Sequence, residues 1–174
     1  MTDFACQVVA ATVGRTADIV VRCDPSHPVY SLQHVVSLME GAGLSVHTSS
    51  HCHSSLASSL PSALVSFLPC SKVSRSQAKA RLTVIWSSVG RECEVMVSPL
   101  TQTVIRGEVN LLRYLARLLP TLLKYETEPS LHCLDSLLDS VSSLSWASPR
   151  DRLPLLRALA ANLSKSQYLA GKVG

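Results

Sequence analysis

The first readable pattern is a β-branched run. Ala17-Asp18-Ile19-Val20-Val21-Arg22-Cys23 ends at Asp24-Pro25 and reads as a buried strand. His27-Pro28 continues the turn. Leu32, Val35, Val36 and Met39 then recur at helical spacing, and Gly41-Ala42-Gly43 stops that helix. Leu44, Val46 and Thr48 alternate with polar residues, which predicts a second strand. A Ser-rich loop, Ser49 to Ser59, follows. Strand, helix and strand together have the length of a parallel crossover.

Pro61 suits a first helical turn, and Leu60, Leu64, Phe67 and Leu68 give that helix an apolar face, closed by Pro69. Ser71 to Lys79 is a polar loop. Leu82-Thr83-Val84-Ile85-Trp86 carries the strongest strand signal, and Gly90 turns the chain. Cys93-Glu94-Val95-Met96-Val97 returns to Pro99, so short separation predicts an antiparallel hairpin with the preceding strand. Val109, Leu112, Leu115 and Leu119 then share one face of a helix over Asn110 to Leu119, which Pro120 ends or kinks. Two helical stripes follow: Leu131, Leu134, Leu138, Val141 and Leu144, then Leu156, Leu159, Ala160 and Leu163, with Pro149 and Pro154 near the start of the second. The order predicts an α/β fold: a mixed sheet of four strands with helices, followed by an all-helical part.

Composition narrows the classes. Hydrophobic residues are 47% and charged ones 16%, which is globular and excludes a disordered chain. Aromatics at 5% leave Leu, Val and Ala to build the core. The net charge of +4 is mild and its basic residues are scattered, the densest stretch being Lys72 to Arg81, so nucleic-acid binding is not expected. Val109 to Leu123 is the most apolar run, but Arg113, Arg117 and Pro120 interrupt it before about 20 apolar residues, so no membrane span is expected. Phe4 to Val13 is apolar without a positive start, which disfavours a signal peptide. Cys6, Cys23, Cys52, Cys70, Cys93 and Cys133 form no CxxC and read as reduced cytosolic thiols, most of them semi-buried.

The one metal-like cluster is His47, His51, Cys52 and His53, which lacks a second ligand pair at zinc spacing. An incidental grouping and a zinc site both stay open. Ser136 to Ser148, like the earlier serine stretch, is explained by a solvated polar face, with phosphorylation as the other reading. Trp86 on a central strand is expected in the core. Trp146 at a helix end is read as core, with an interface anchor as the alternative.

The element order, with Gly107-Glu108-Val109-Asn110-Leu111-Leu112-Arg113-Tyr114 and Tyr168-Leu169-Ala170-Gly171, resembles the thioredoxin-like half of a glutathione transferase and the start of its helical half. Asp18 to His53, Leu82 to Pro99 and Gly107 to Gly171 further resemble the glutathione-transferase-like scaffold proteins of the animal multi-aminoacyl-tRNA synthetase complex. That resemblance implies residues 1–17 as a poorly ordered extension, 18–120 as a thioredoxin-like part and 121–174 as a partial helical part. It implies a non-catalytic scaffold without cofactor or metal, located in the cytosol and also the nucleus. The implied partners are the bifunctional glutamyl-prolyl-tRNA synthetase, with aspartyl- and lysyl-tRNA synthetases beside it.

Glutathione chemistry needs a proline before the third strand and a Glu/Gln-Ser pair at the third helix. Lys79-Ala80-Arg81 has no proline, and Glu108 precedes Val109 rather than a serine. Ser26 after the first strand reads as a turn residue. The alternative, a transferase or thioredoxin-like enzyme of small molecules, stands against these losses. Transferase folds pair through their second and third helices, so the resemblance implies Leu64, Phe67, Leu68, Arg113 and Arg117 as interface candidates. It also implies a further capped helix after Gly174, without which the last two helices would show apolar faces.

Overall fold

The structure is a computed structural model that describes residues 17–56, 60–69, 71, 73–98 and 103–169, with the backbone alone at Ser98 and Thr121. The extension expected over residues 1–17, Pro99 and the Ala170-Gly171 turn lie in whole or in greater part outside the described residues. The chain forms two compact units, Met1–Lys124 and Tyr125–Gly174.

In the first unit β1 (Ala17–Cys23) alternates buried and half-open positions, with Val21 and Cys23 fully buried. It feeds α1 (Ser31–Gly41), whose buried residues are Leu32, Val35, Val36 and Met39, the four that helical spacing selects. Gly43 sits at φ +80°, where a side chain would be strained. Leu44 N–H can then turn back to donate to the Met39 carbonyl at 3.0 Å. β2 (Val46–Cys52) follows, then a single turn α2 (Ser62–Val65), then β3 (Ala80–Trp86), β4 (Glu94–Ser98) and β5 (Thr103–Arg106). The unit ends with α3 (Glu108–Leu118) and the short α4 (Pro120–Leu123).

The sheet has five strands in the order β2-β3-β1-β4-β5. Four were expected. β5 escapes sequence reading because Thr103-Val104-Ile105-Arg106 is short, mostly exposed and directly abuts a helix. The expected hairpin between β3 and β4 is also corrected. Both edges of β3 are taken by parallel partners, β1 and β2, so β4 passes over the end of β1 and pairs antiparallel with it, Val21 opposite Val95. β4 and β5 form the actual antiparallel neighbours. Ser49 to Cys52, expected as loop, extend β2 because Ser49 lies opposite Thr83 and Cys52 opposite Trp86. Ladder bonds to β3 outweigh the polar composition of that edge strand.

The core lies between sheet and helices. Trp86, Leu32, Leu111, Val21, Val36, Val84 and Val95 are fully buried. The Trp86 and Phe67 rings pack in a T, their centroids 5.2 Å apart and their planes at 82°, and Trp86 Nε1–H donates to Ser50 Oγ at 2.8 Å. This bears out the core reading of Trp86.

Gly107 joins β5 to α3 at φ +86° and ψ 145°, a conformation essentially confined to glycine. An added Cβ there would meet nothing within 4 Å, so only the backbone resists substitution. Gly107→Ala is therefore expected to cost about 1–3 kcal/mol, read as a lower urea midpoint with unchanged slope.

The second unit holds a 3-10 turn (Tyr125–Thr127), α5 (Leu131–Trp146) and α6 (Pro149–Leu163). Ser148 caps α6: its Oγ accepts from Asp151 N–H at 3.3 Å and donates to the Asp151 carboxylate at 2.6 Å. Neither helix has a buried residue. Trp146 is 40% exposed, which overturns its reading as core. No helix among the described residues is long and apolar enough to cross a membrane.

Candidate functional site

Two segments converge where glutathione chemistry would have to operate: the turn after β1 and the start of α3. α1 begins after Tyr30, which offers no capping oxygen. Glu108, the first residue of α3, supplies one from across the fold. Its Oε1 accepts from Ser31 Oγ at 2.5 Å and from Ser31 N–H at 3.3 Å. The negative carboxylate thus sits at the positive end of α1 and satisfies an otherwise orphaned amide. Nearby in sequence, Asn110 Nδ2–H donates to the Arg106 carbonyl at 2.9 Å, and Arg113 donates to Asn110 Oδ1 at 3.2 Å.

After β1, Asp24 Oδ1 accepts from Ser26 N–H at 2.9 Å, and His27 N–H donates to the Asp24 carbonyl at 2.9 Å. The backbone N–H of Ser26 holds the Asp24 carboxyl below its usual range. Ser26 is exposed in this turn and acts as a turn residue.

The thiols at this end of the sheet are chemically silenced. Burial pushes Cys23 up to about 12, helped by neighbouring Cys93 and opposed by a backbone bond from Val29. Burial likewise pushes Cys93 up to about 12, helped by the charge of Glu108. A thiol held that high supplies almost no nucleophilic thiolate near neutrality.

In the native chain Cys52 and Cys133, both exposed, are expected to react with a thiol reagent at once, while Cys23 and Cys93 react only on unfolding. Mass mapping of labelled peptides checks this. The same shifts set an alkaline limit. The unfolded thiols ionise from their ordinary 9.0, whereas the folded ones wait until about 12. Their contribution to stability is therefore full below pH 9 and is lost as pH rises from there to about 12. Urea midpoints across that window should fall less steeply in Cys93→Ala than in the parent.

The histidine cluster is engaged otherwise. His47 Nδ1 lies 2.8 Å from the Val73 carbonyl and therefore donates to it, and Ser71 Oγ donates to the same carbonyl at 2.8 Å. Thr48 Oγ1 donates to the Pro69 carbonyl at 2.7 Å, so this segment is pinned along the edge of β2. His53 Nδ1 accepts from Ser55 N–H at 3.1 Å. Among the described residues no three His, Cys, Asp or Glu side chains gather around one point.

The interface candidates divide. Leu64, Phe67 and Leu68 are buried in the core, Phe67 lying between Trp86 and the half-covered ring of Tyr30. Their side chains give no outer surface: Leu64 is the buried residue of the single-turn α2, and Phe67 and Leu68 just after it are buried as well. The outward apolar groups here are Val65 and Tyr30, 66% and 59% exposed. Neither stood out in the sequence: Val65 breaks the apolar stripe, and Tyr30 sits in a proline-flanked turn. Arg113 is half-buried and Arg117 exposed, while Leu111, Leu115 and Ala116 form the buried face of α3.

The family profile of a thioredoxin-like domain matches residues 14–106. The chain belongs to the thioredoxin-like domain family. The matched span takes in all five strands of the thioredoxin-like sheet and stops just before Gly107. The thioredoxin-like chain is also similar to the probable aminoacyl tRNA synthase complex-interacting multifunctional protein 2 of Drosophila melanogaster. They are 28% identical over 157 residues, covering 88% of this chain and 46% of the fly protein. The chain thus spans less than half the length of that curated relative.

Proposed function

We propose that this chain is a non-catalytic protein-interaction domain that helps to hold aminoacyl-tRNA synthetases together in a cytosolic complex. The observation that carries the reading is Glu108. Its carboxylate is committed to Ser31 at the start of α1, so the residue that would help grip a peptide ligand instead locks two helices of the fold. The buried, unionised Cys23 and Cys93 support the same reading, since they leave the end of β1 without a nucleophile. Similarity to a protein named for its interaction with the synthetase complex supplies the class of partner.

In this reading the glutamyl-prolyl-tRNA synthetase docks on the outer side of α3 at Arg113 and Arg117. Aspartyl- and lysyl-tRNA synthetases belong to the same assembly, in the cytosol and the nucleus. The planar guanidinium of each arginine makes forked bonds to carboxylates. Leu64, Phe67 and Leu68 contribute from beneath, by seating α2 on the core.

Tagged chain expressed in cells is expected to bring down the glutamyl-prolyl enzyme. Arg113→Glu with Arg117→Glu should reduce that recovery about tenfold while circular dichroism shows the chain still folded, since close charge pairs at interfaces are worth about 1.5–7 kcal/mol. Calorimetry should show no heat of glutathione binding. Recovery of no synthetase, or measurable binding and conjugation of glutathione, would overturn the reading in favour of a small-molecule enzyme.

A further inference from the structure

We infer that Cys23 and Cys93 form a latent cross-strand disulfide, a modification site at which a peroxide staples β1 to the start of β4. The inference goes beyond the scaffold reading and holds whether or not a synthetase binds. The antiparallel ladder pairs Val20 with Met96, Val21 with Val95 and Arg22 with Glu94. One step further along, Cys23 stands opposite Cys93. Two backbone bonds show which kind of pair this is. The Cys23 carbonyl accepts from Ser87 N–H at 3.0 Å, on the β3 side, and the Cys93 carbonyl accepts from Gly107 N–H at 2.9 Å, on the β5 side. Each residue therefore turns its backbone away from the other. That is the non-hydrogen-bonded pair of an antiparallel ladder, with Cα atoms about 4.5 Å apart. Disulfides take Cα separations of about 4.4–6.8 Å. The side chains also share a face. Cys23 follows Val21 by two residues and Cys93 precedes Val95 by two, and all four are buried in one core. Both cysteines are free thiols in the structure, and Cys93 lies close enough to hinder ionisation of Cys23.

Burial sets the order of events. In the closed sheet both thiols are shut away. The paired register ends at Arg22 and Glu94, so the cysteines sit just past its end, where strands open most readily. While that end is open, one thiolate attacks hydrogen peroxide. An S–O bond forms, the O–O bond breaks and water leaves, giving a sulfenic acid. Once the end closes, the facing thiol attacks that sulfur. The S–S bond forms, the S–O bond breaks and a second water leaves. Two thiols and one peroxide thus give one disulfide and two waters, and the two electrons lost by sulfur pass to the peroxide oxygens. The product ties the end of β1, which leads through a turn to Ser31, to the residue that Gly107 bonds just before Glu108.

The test uses the full chain carrying Cys6→Ser, Cys52→Ser, Cys70→Ser and Cys133→Ser, which leaves this pair as its thiols. Hydrogen peroxide is expected to remove two hydrogens from its mass and to link the Cys23 and Cys93 peptides within one chain. Linkage should be at least about tenfold faster in urea just short of unfolding, because the reaction follows the open population. The linked chain should show a higher urea midpoint than the reduced one, reversed by dithiothreitol, and slower amide exchange at Ser87 and Gly107. Adding Cys93→Ser should abolish the mass loss and both of these gains. In the unsubstituted chain, with its reactive thiols first blocked by iodoacetamide, peptide mapping should find the same link, so the outcome does not hang on the four substitutions. No link in either chain, sulfinic acid on the two cysteines in its place, links between chains alone, or a linked chain less stable than the reduced one would each overturn the proposal.

Discussion

Trp86→Ala is expected to cost about 3–5 kcal/mol, the range for removing a large buried aromatic. Whole-domain stability is about 5–15 kcal/mol, so the variant should be largely unfolded in mild urea or populate unfolded chain without it. The effect has three sources. Trp86 is fully buried at the end of β3, so its removal leaves the largest void the core can suffer. It also deprives Phe67 of the edge contact that fixes the segment after α2. The bond from Nε1–H to Ser50 Oγ ties β3 to the outer half of β2 and disappears with the ring. Trp86→Phe, which keeps a ring but not the donor, should lose less than half as much. Urea unfolding followed by circular dichroism measures both, and equal losses would show that the void matters little.

Leu111→Ala is the second large effect, at about 2–5 kcal/mol. Leu111 is fully buried on α3, one turn beyond Glu108, and its amide donates to the Gly107 carbonyl at 3.1 Å. Loosening this turn also loosens the carboxylate that caps α1. The variant should therefore show faster amide exchange at Ser31 and Leu32 as well as a lower urea midpoint. The neighbouring Leu112→Ala, on a half-covered position, should cost markedly less. A loss at Leu112 as large as at Leu111 would mean that α3 packs differently.

Much of this architecture is legible in the residues. β1 and the inner face of α1 declare themselves because one is β-branched and bounded by Asp24-Pro25, and the other repeats apolar residues at helical spacing. Strand pairing is not local information. β3 and β4 are close in sequence, yet β4 joins β1, because the partners on both edges of β3 are chosen by distant segments. Polar Ser49 to Cys52 read as loop since an edge strand needs only ladder bonds on one side, not apolar side chains. Phe67 and Leu68 showed that they were apolar but not which way they faced; they follow the single-turn α2 and are buried in the core. At the site, the sequence shows that Val109 rather than a serine follows Glu108. It does not show that Glu108 bonds to Ser31, because the two residues meet only once the sheet has assembled.

The parallel pairing of β1 with β3 has a consequence for biosynthesis. Ala17 waits for Ala80, and Cys23 for Trp86. As the polypeptide leaves the ribosome, β1 therefore stays without either of its neighbours until β3 has been synthesised. Such distant pairing slows folding and leaves sticky segments uncovered meanwhile. Nascent chains halted before Trp86 should be the ones that chaperones hold longest.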